Sequence, residues 1–151
     1  MPKDLEFQIK ADGNFLKIAP IGLIYYDSNS DWNKNWIRAA IKVQGGVFSG
    51  RYDADLTTFD FDNLKCDLEK LDGNLSGEME FDDLEGFLSL KIVGDGTGNF
   101  VAEVTCNDTP DINSSELKFQ IYFDQTYIKD MVHSLDEITK RYPIVGDYKK
   151  S

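Results

Sequence analysis

A lone histidine (His133), two cysteines (Cys66 and Cys106) and 27 Asp and Glu side chains are the groups through which this 151-residue chain could do chemistry. One histidine makes no His-x-x-x-His metal pair, and no Gly-x-Ser-x-Gly nucleophile elbow accompanies it. At 100° per residue His133 falls about 140° from Ile128 on its helix, and is expected to face solvent as a structural side chain. Cys66 and Cys106 show no Cys-x-x-Cys spacing. They read as free, inert thiols of a reducing compartment, Cys66 off its helix's apolar stripe and Cys106 on the buried parity of a strand. Asp95-Gly96-Thr97-Gly98-Asn99 alternates oxygen side chains as a calcium loop does. Phe100, however, stands where the sharp-turn glycine belongs and Cys106 where the bidentate Glu belongs, so a glycine-rich hairpin turn is the better reading. Carboxylate pairs such as Asp60 with Asp62, or Asp82 with Asp83, have the composition of a glycosidase site, but in a chain this acidic they carry little information. The expectation is a protein without catalytic residues, metal or cofactor.

Charge is more informative, because it is unevenly placed. The formal net charge is −11, yet residues 53–85 hold twelve acids against only Lys65 and Lys70. Residues 1–52 are slightly basic. A concentrated acidic face accelerates encounter with a cationic partner and disfavours phosphate backbones and anionic membranes, both of which need clustered Lys and Arg. Asp62, Asp67, Glu69, Asp82, Asp83 and Glu85 are therefore the candidate partner-facing charges. The competing use of such a face is solubility. A second candidate is the long loop from Tyr25 to Asn35, where Tyr25, Tyr26 and Trp32 interleave with Asp27 and Asp31 in the manner of an interface anchor. Trp36, which opens a strand, is assigned to structure.

The elements that must position these groups follow from periodicity. Alternation of apolar and polar residues marks eight half-buried strands. Their inward sets are Leu5-Phe7-Ile9, Leu16-Ile18, Ile37 to Val43, Phe48 to Leu56, Leu75 to Phe81, Leu88-Leu90-Ile92, Phe100 to Cys106 and Leu117 to Phe123. One wet face per strand indicates antiparallel pairing. Asp12-Gly13, Gly45-Gly46 and Asp95-Gly96 supply hairpin turns. Two segments have helical period: Phe61, Leu64, Leu68 and Leu71, capped by Thr57 or Thr58 and stopped at Asp72-Gly73; and Ile128, Met131, Val132, Leu135, Ile138 and Tyr142, capped by Asp124 and ended by Pro143. The expected fold is a single α+β domain spanning residues 1–151. It has one bent, mainly antiparallel sheet of about eight strands with two helices on one face, and a shift of 67 positions aligns the two helices as a duplicated ββββα unit. A local parallel crossover through the first helix and mobility of the loops 25–35 and 107–115 complete this reading. No secretory h-region or bilayer-length apolar run is legible, which points to the cytoplasm.

Several runs carry a resemblance: Asp31-Trp32-Asn33-Lys34-Asn35-Trp36-Ile37, Gly46-Val47-Phe48-Ser49-Gly50, Leu75-Ser76-Gly77-Glu78-Met79-Glu80-Phe81, Phe123-Asp124-Gln125-Thr126-Tyr127-Ile128 and Tyr142-Pro143-Ile144-Val145-Gly146. In order and spacing, from about Leu5 to Gly146, the chain resembles the WapI family of bacterial immunity proteins. The resemblance implies a cytoplasmic protein that binds and neutralises the C-terminal domain, commonly a nuclease, of a contact-dependent wall-associated toxin. It carries no catalytic residues and no toxin-contact positions. The implied partner is a basic toxin domain, with neither nucleic acid nor membrane bound and a monomer or weak homodimer in solution. Two other readings stay open: a small-ligand carrier or enzyme with a pocket between sheet and helices, and a structural adapter that self-associates through a sheet edge.

Overall fold

The computed structural model describes residues 5–148. The expectations of a domain spanning 1–151 and of no secretory h-region fall partly on residues that lie outside the described ones. The chain runs β1 (Phe7–Ala11), β2 (Asn14–Leu23), β3 (Trp36–Gly45), β4 (Phe48–Thr57), α1 (Thr58–Asp72), β5 (Glu78–Asp82), β6 (Leu88–Gly94), β7 (Asn99–Asn107), β8 (Glu116–Asp124) and α2 (Ile128–Arg141). All pairing is antiparallel between sequence neighbours, so an α+β fold of eight strands and two helices stands, with ββββα repeated. The strands divide into two four-stranded meanders, β1-β2-β3-β4 and β5-β6-β7-β8, where one bent sheet was expected.

The division has a simple cause. A helix of 15 residues, about 22 Å long, carries the chain away from β4. It returns through Asn74–Gly77, and β5 then pairs with β6 alone. No parallel β4–β5 crossover exists. Both inner faces instead feed one apolar core, in which Phe7, Ile9, Leu16, Ile18, Ile37 and Ile41 of the first sheet meet Leu88, Leu90, Ile92 and Ile121 of the second. Strand β8 crosses close to β1, β2 and β3. At that junction Gly45 has no room for a side chain, since a Cβ would come 2.6 Å from the Phe119 ring.

The local signals act where they are written. Thr57 caps α1 with a reciprocal capping box to Asp60, and Leu64, Leu68 and Leu71 bury its inner stripe. Asp124 caps a 3-10 turn, Gln125–Tyr127, that leads into α2, whose Ile128, Met131, Leu135 and Ile138 are buried. Asp12 and Gly13 both take positive φ, 54° and 88°, as a tight two-residue hairpin requires. Pro20, which cannot donate to the ladder, coincides with a register shift between Pro20 and Gly22 in β2.

A further expectation requires correction. Phe48 has the inward parity of β4 but is 65% exposed. It sits at the β3–β4 hairpin, beyond the cover of the second sheet, and protection along β4 begins only at Tyr52, whose hydroxyl donates to the Phe87 carbonyl at 2.7 Å. The loops 25–35 and 107–115, read as mobile, carry internal hydrogen bonds. Asn35 is fully buried, and Asp108 accepts from the Ser115 N–H at 2.9 Å.

Candidate protein-binding surface

Helix α1 and strand β5 position the acidic residues. Strand β5 alternates outward Glu78, Glu80 and Asp82 with buried Met79 and Phe81, and it runs beside α1. Between them lies a groove of about 310 Å³ lined by Asp67, Lys70, Leu71, Asn74, Glu78 and Glu80. Partial burial raises the Asp67 carboxyl above its usual range, against the opposing pull of Lys70. Glu69 projects on the other side of α1 into a larger groove, about 470 Å³, shared with Lys65, Asp72, Lys129, His133 and Asp136 of the α1–α2 seam. There Asp136 holds Lys65 at 3.4 Å and Lys140 at 2.9 Å, and His133 is exposed with Glu137 at 2.7 Å.

The six proposed charges separate by burial. Glu69, Asp82 and Glu85 are exposed and Asp67 is half-exposed, whereas Asp62 and Asp83 are 7% and 5% exposed. Asp83 uses its carboxylate internally, accepting from the Gly86 and Leu88 N–H groups at 3.1 and 2.8 Å. Asp60, also buried, accepts from the Thr57 N–H and hydroxyl and from the Leu84 N–H, joining the start of α1 to the β5–β6 loop. Burial outweighs these bonds and, with the nearby Asp83 charge, pushes the Asp60 carboxyl up to about 6. That loop displays Leu84, 60% exposed, beside Glu85.

Of the aromatic candidates, Trp32 is drawn to the start of α1. Tyr26 is 77% exposed and Tyr25 46%, with Asp27 and Asp31 exposed beside them. Trp32 is only partly free. Its ring stacks on Phe59 of α1 at 5.7 Å and meets Trp36 and Tyr148 edge-on at 6.3 and 5.8 Å. Asn35 fixes this cluster from beneath, donating to the Asp31 and Val145 carbonyls and accepting from the Val145 N–H at 2.7 Å. The segments Asp31–Ile37 and Tyr142–Gly146 are thereby clasped together. Phe59, Leu84 and Tyr148 belong to this surface and were not legible as such. Phe59 lies off the helix stripe, and Leu84 and Tyr148 have no periodic neighbours.

The thiols and the Asp95 turn add no second site. Both cysteines are free, and burial raises the Cys106 thiol to about 11 against its hydrogen bond with Tyr52. Asp95 spends one carboxylate oxygen on the Thr97 N–H, the Thr97 hydroxyl and the Asn99 N–H, which closes the turn. No helix of the described residues is long and apolar enough to cross a membrane.

No curated protein matches the chain closely enough to count as a relative. Similar solved structures include the Trypanosoma brucei MRP1/MRP2 proteins (9% identity, 93% of this chain and 88% of that one, TM-score 0.49). They also include the plant transcriptional regulator PBF-2 (15%, 94% and 84%, 0.46) and Arabidopsis thaliana WHY3 (14%, 94% and 90%, 0.47). Likenesses this distant carry no argument about function. The immunity protein WapI-like family, in contrast, matches residues 6–143, and the chain belongs to that family.

Proposed function

We propose that this protein is a cytoplasmic immunity protein. It binds the toxic C-terminal domain of a contact-dependent, wall-associated toxin and neutralises it without catalysis. Family membership supports the immunity role. The observation that carries the finer reading is the acidic surface around α1 and β5, where Asp67, Glu78 and Glu80 line one groove, Asp82 and Glu85 are exposed at and beyond the end of β5, and Glu69 is exposed on the α2 side of α1. A nuclease must hold phosphodiesters in a cationic cleft, and an acidic protein face can occupy such a cleft. Leu84 at one end of the surface, with Trp32 near the start of α1 and the exposed Tyr25 and Tyr26 earlier in the same loop, supplies apolar contact beside the charges. Asp62 and Asp83 act inside the fold and are set aside as contacts.

The test is co-expression and direct binding with the toxin domain encoded beside this gene. The expected result is a soluble complex, protection of growth and loss of toxin activity. Failure to bind that domain at micromolar concentration would end the reading.

A further inference from the structure

The solvent face of the first sheet carries an arrangement that the acidic composition conceals. Strand register places Gln8, Lys17, Lys42 and Arg51 side by side across β1, β2, β3 and β4. Neighbouring strands are about 4.8 Å apart, so three cations root within about 10 Å. Like charges directly opposite one another destabilise a sheet. Lys42 and Arg51 are exposed, and among the described residues neither they nor Lys10 makes an ion pair. Lys17 rests 4.7 Å over the Phe15 ring. Arg38 is paired to Asp55 at 2.8 Å, further along the same face.

The duplicated architecture provides an internal comparison. By the shift of 67 positions Arg51 matches Lys118, and the corresponding row of the second sheet is Asp82, Ser89, Thr105 and Lys118. It holds a single cation, 3.6 Å from Glu116. One half of the molecule thus satisfies its row internally. The other sets three cations side by side, none in an ion pair among the described residues, with the exposed Asp53 one row along β4 as the acid beside them.

We propose that this face binds single-stranded nucleic acid, with the phosphodiester backbone crossing the strands along Lys17, Lys42 and Arg51. The proposal goes beyond the toxin reading and does not depend on it. The face is a flat, open sheet, which suits an extended polymer better than a small anion. The adjoining row has Ala19 and Ala40 as a low floor with Asp53 at its β4 end, and the half-exposed Phe15 ring beside Lys17 offers a platform on which a base can stack once the lysine turns to a phosphate. The net charge does not forbid this. Most acids of residues 53–85 lie on α1, β5 and the loop after it, while on this face Asp55 is held by Arg38 and Asp53 stands two residues from Arg51; at physiological ionic strength the field of the distant acids decays over about 8 Å. Excluding phosphate backbones from composition averages over a molecule whose charge is segregated.

The experiment uses the full chain and a fluorescently labelled 20-mer oligothymidylate, followed by anisotropy. Neutralising three phosphates of a single strand gives a log–log salt slope of about −2, or about 20-fold weaker binding at 200 mM than at 50 mM salt. Lys42→Gln and Arg51→Gln should each lower affinity several-fold. Lys42→Gln should also melt at or above the wild-type temperature, because it removes a like-charged neighbour, while Lys91→Gln in the second sheet should leave binding unchanged. Absence of binding at 50 mM salt, equal loss with Lys91→Gln, or retained affinity in a folded Lys42→Gln/Arg51→Gln variant would overturn the proposal. So would polyglutamate competing as well as unlabelled oligothymidylate at equal charge, which would assign the face to an acidic protein.

Discussion

Asp60 shows how a single acid in this chain can be structural. It closes the capping box of α1 and holds the Leu84 N–H at 3.1 Å, yet burial lifts its carboxyl to about 6. A folded-state value above the unfolded one means that the native state binds the proton more tightly. The contribution of this group is therefore full below the ordinary Asp range near 4 and is lost as pH rises through about 6, a swing of about 3 kcal/mol. Urea unfolding between pH 4.5 and 7.5 should show wild type gaining stability on acidification relative to Asp60→Asn. Parallel pH profiles for the two proteins would remove the effect. Taking the difference matters, because the other acids also relax as they are protonated.

At the scale of elements, helices and tail are held by different means. Helix α2 is held by apolar packing. Leu135 is fully buried, and Leu135→Ala should cost about 2–5 kcal/mol, measured as a shift in the thermal or urea midpoint. The segment after α2 is held by polar stitching, since Asn35 supplies both the donor and the acceptor that pair with Val145. Asn35→Ala should cost about 1–3 kcal/mol and open the chain beyond Tyr142 to limited proteolysis while the core stays folded. An unchanged cleavage pattern would show that the Trp32, Phe59 and Tyr148 cluster suffices without it.

Across the whole molecule, charge is sorted by surface. Acids line α1 and β5, and an unpaired basic row crosses the first sheet. If the acidic side meets a basic toxin domain, Glu69→Lys, Asp82→Lys and Glu85→Lys together should slow association at least about tenfold at low ionic strength and flatten its salt dependence. The difference should shrink at high salt, where both proteins are screened. Stability should change little, since all three side chains are exposed. Stopped-flow rates at two salt concentrations decide it, and a wild-type rate with a wild-type salt slope would remove this surface as the docking face.

Near neighbours along the chain account for most of the elements. Alternation, hairpin glycines, the Thr57 cap with its Gly73 stop and the Asp124 cap ahead of Ile128 are interactions spanning a few residues. They were legible as eight strands, two helices and a repeated ββββα order. The segments carrying the family resemblance were equally legible. What the tertiary structure alone decided is what depends on partners far along the chain. Nothing local to β4 and β5 says that their edges stay apart and that two sheets share one core. Parity puts Phe48 inward, but burial needs a second layer, and none reaches the hairpin. Asp82 and Asp83 are adjacent acids, yet one faces water and the other is drawn in by the N–H groups of Gly86 and Leu88. Lys17, Lys42 and Arg51 are scattered in sequence and become a row only through strand register, because pairing brings together residues that no window along the chain contains.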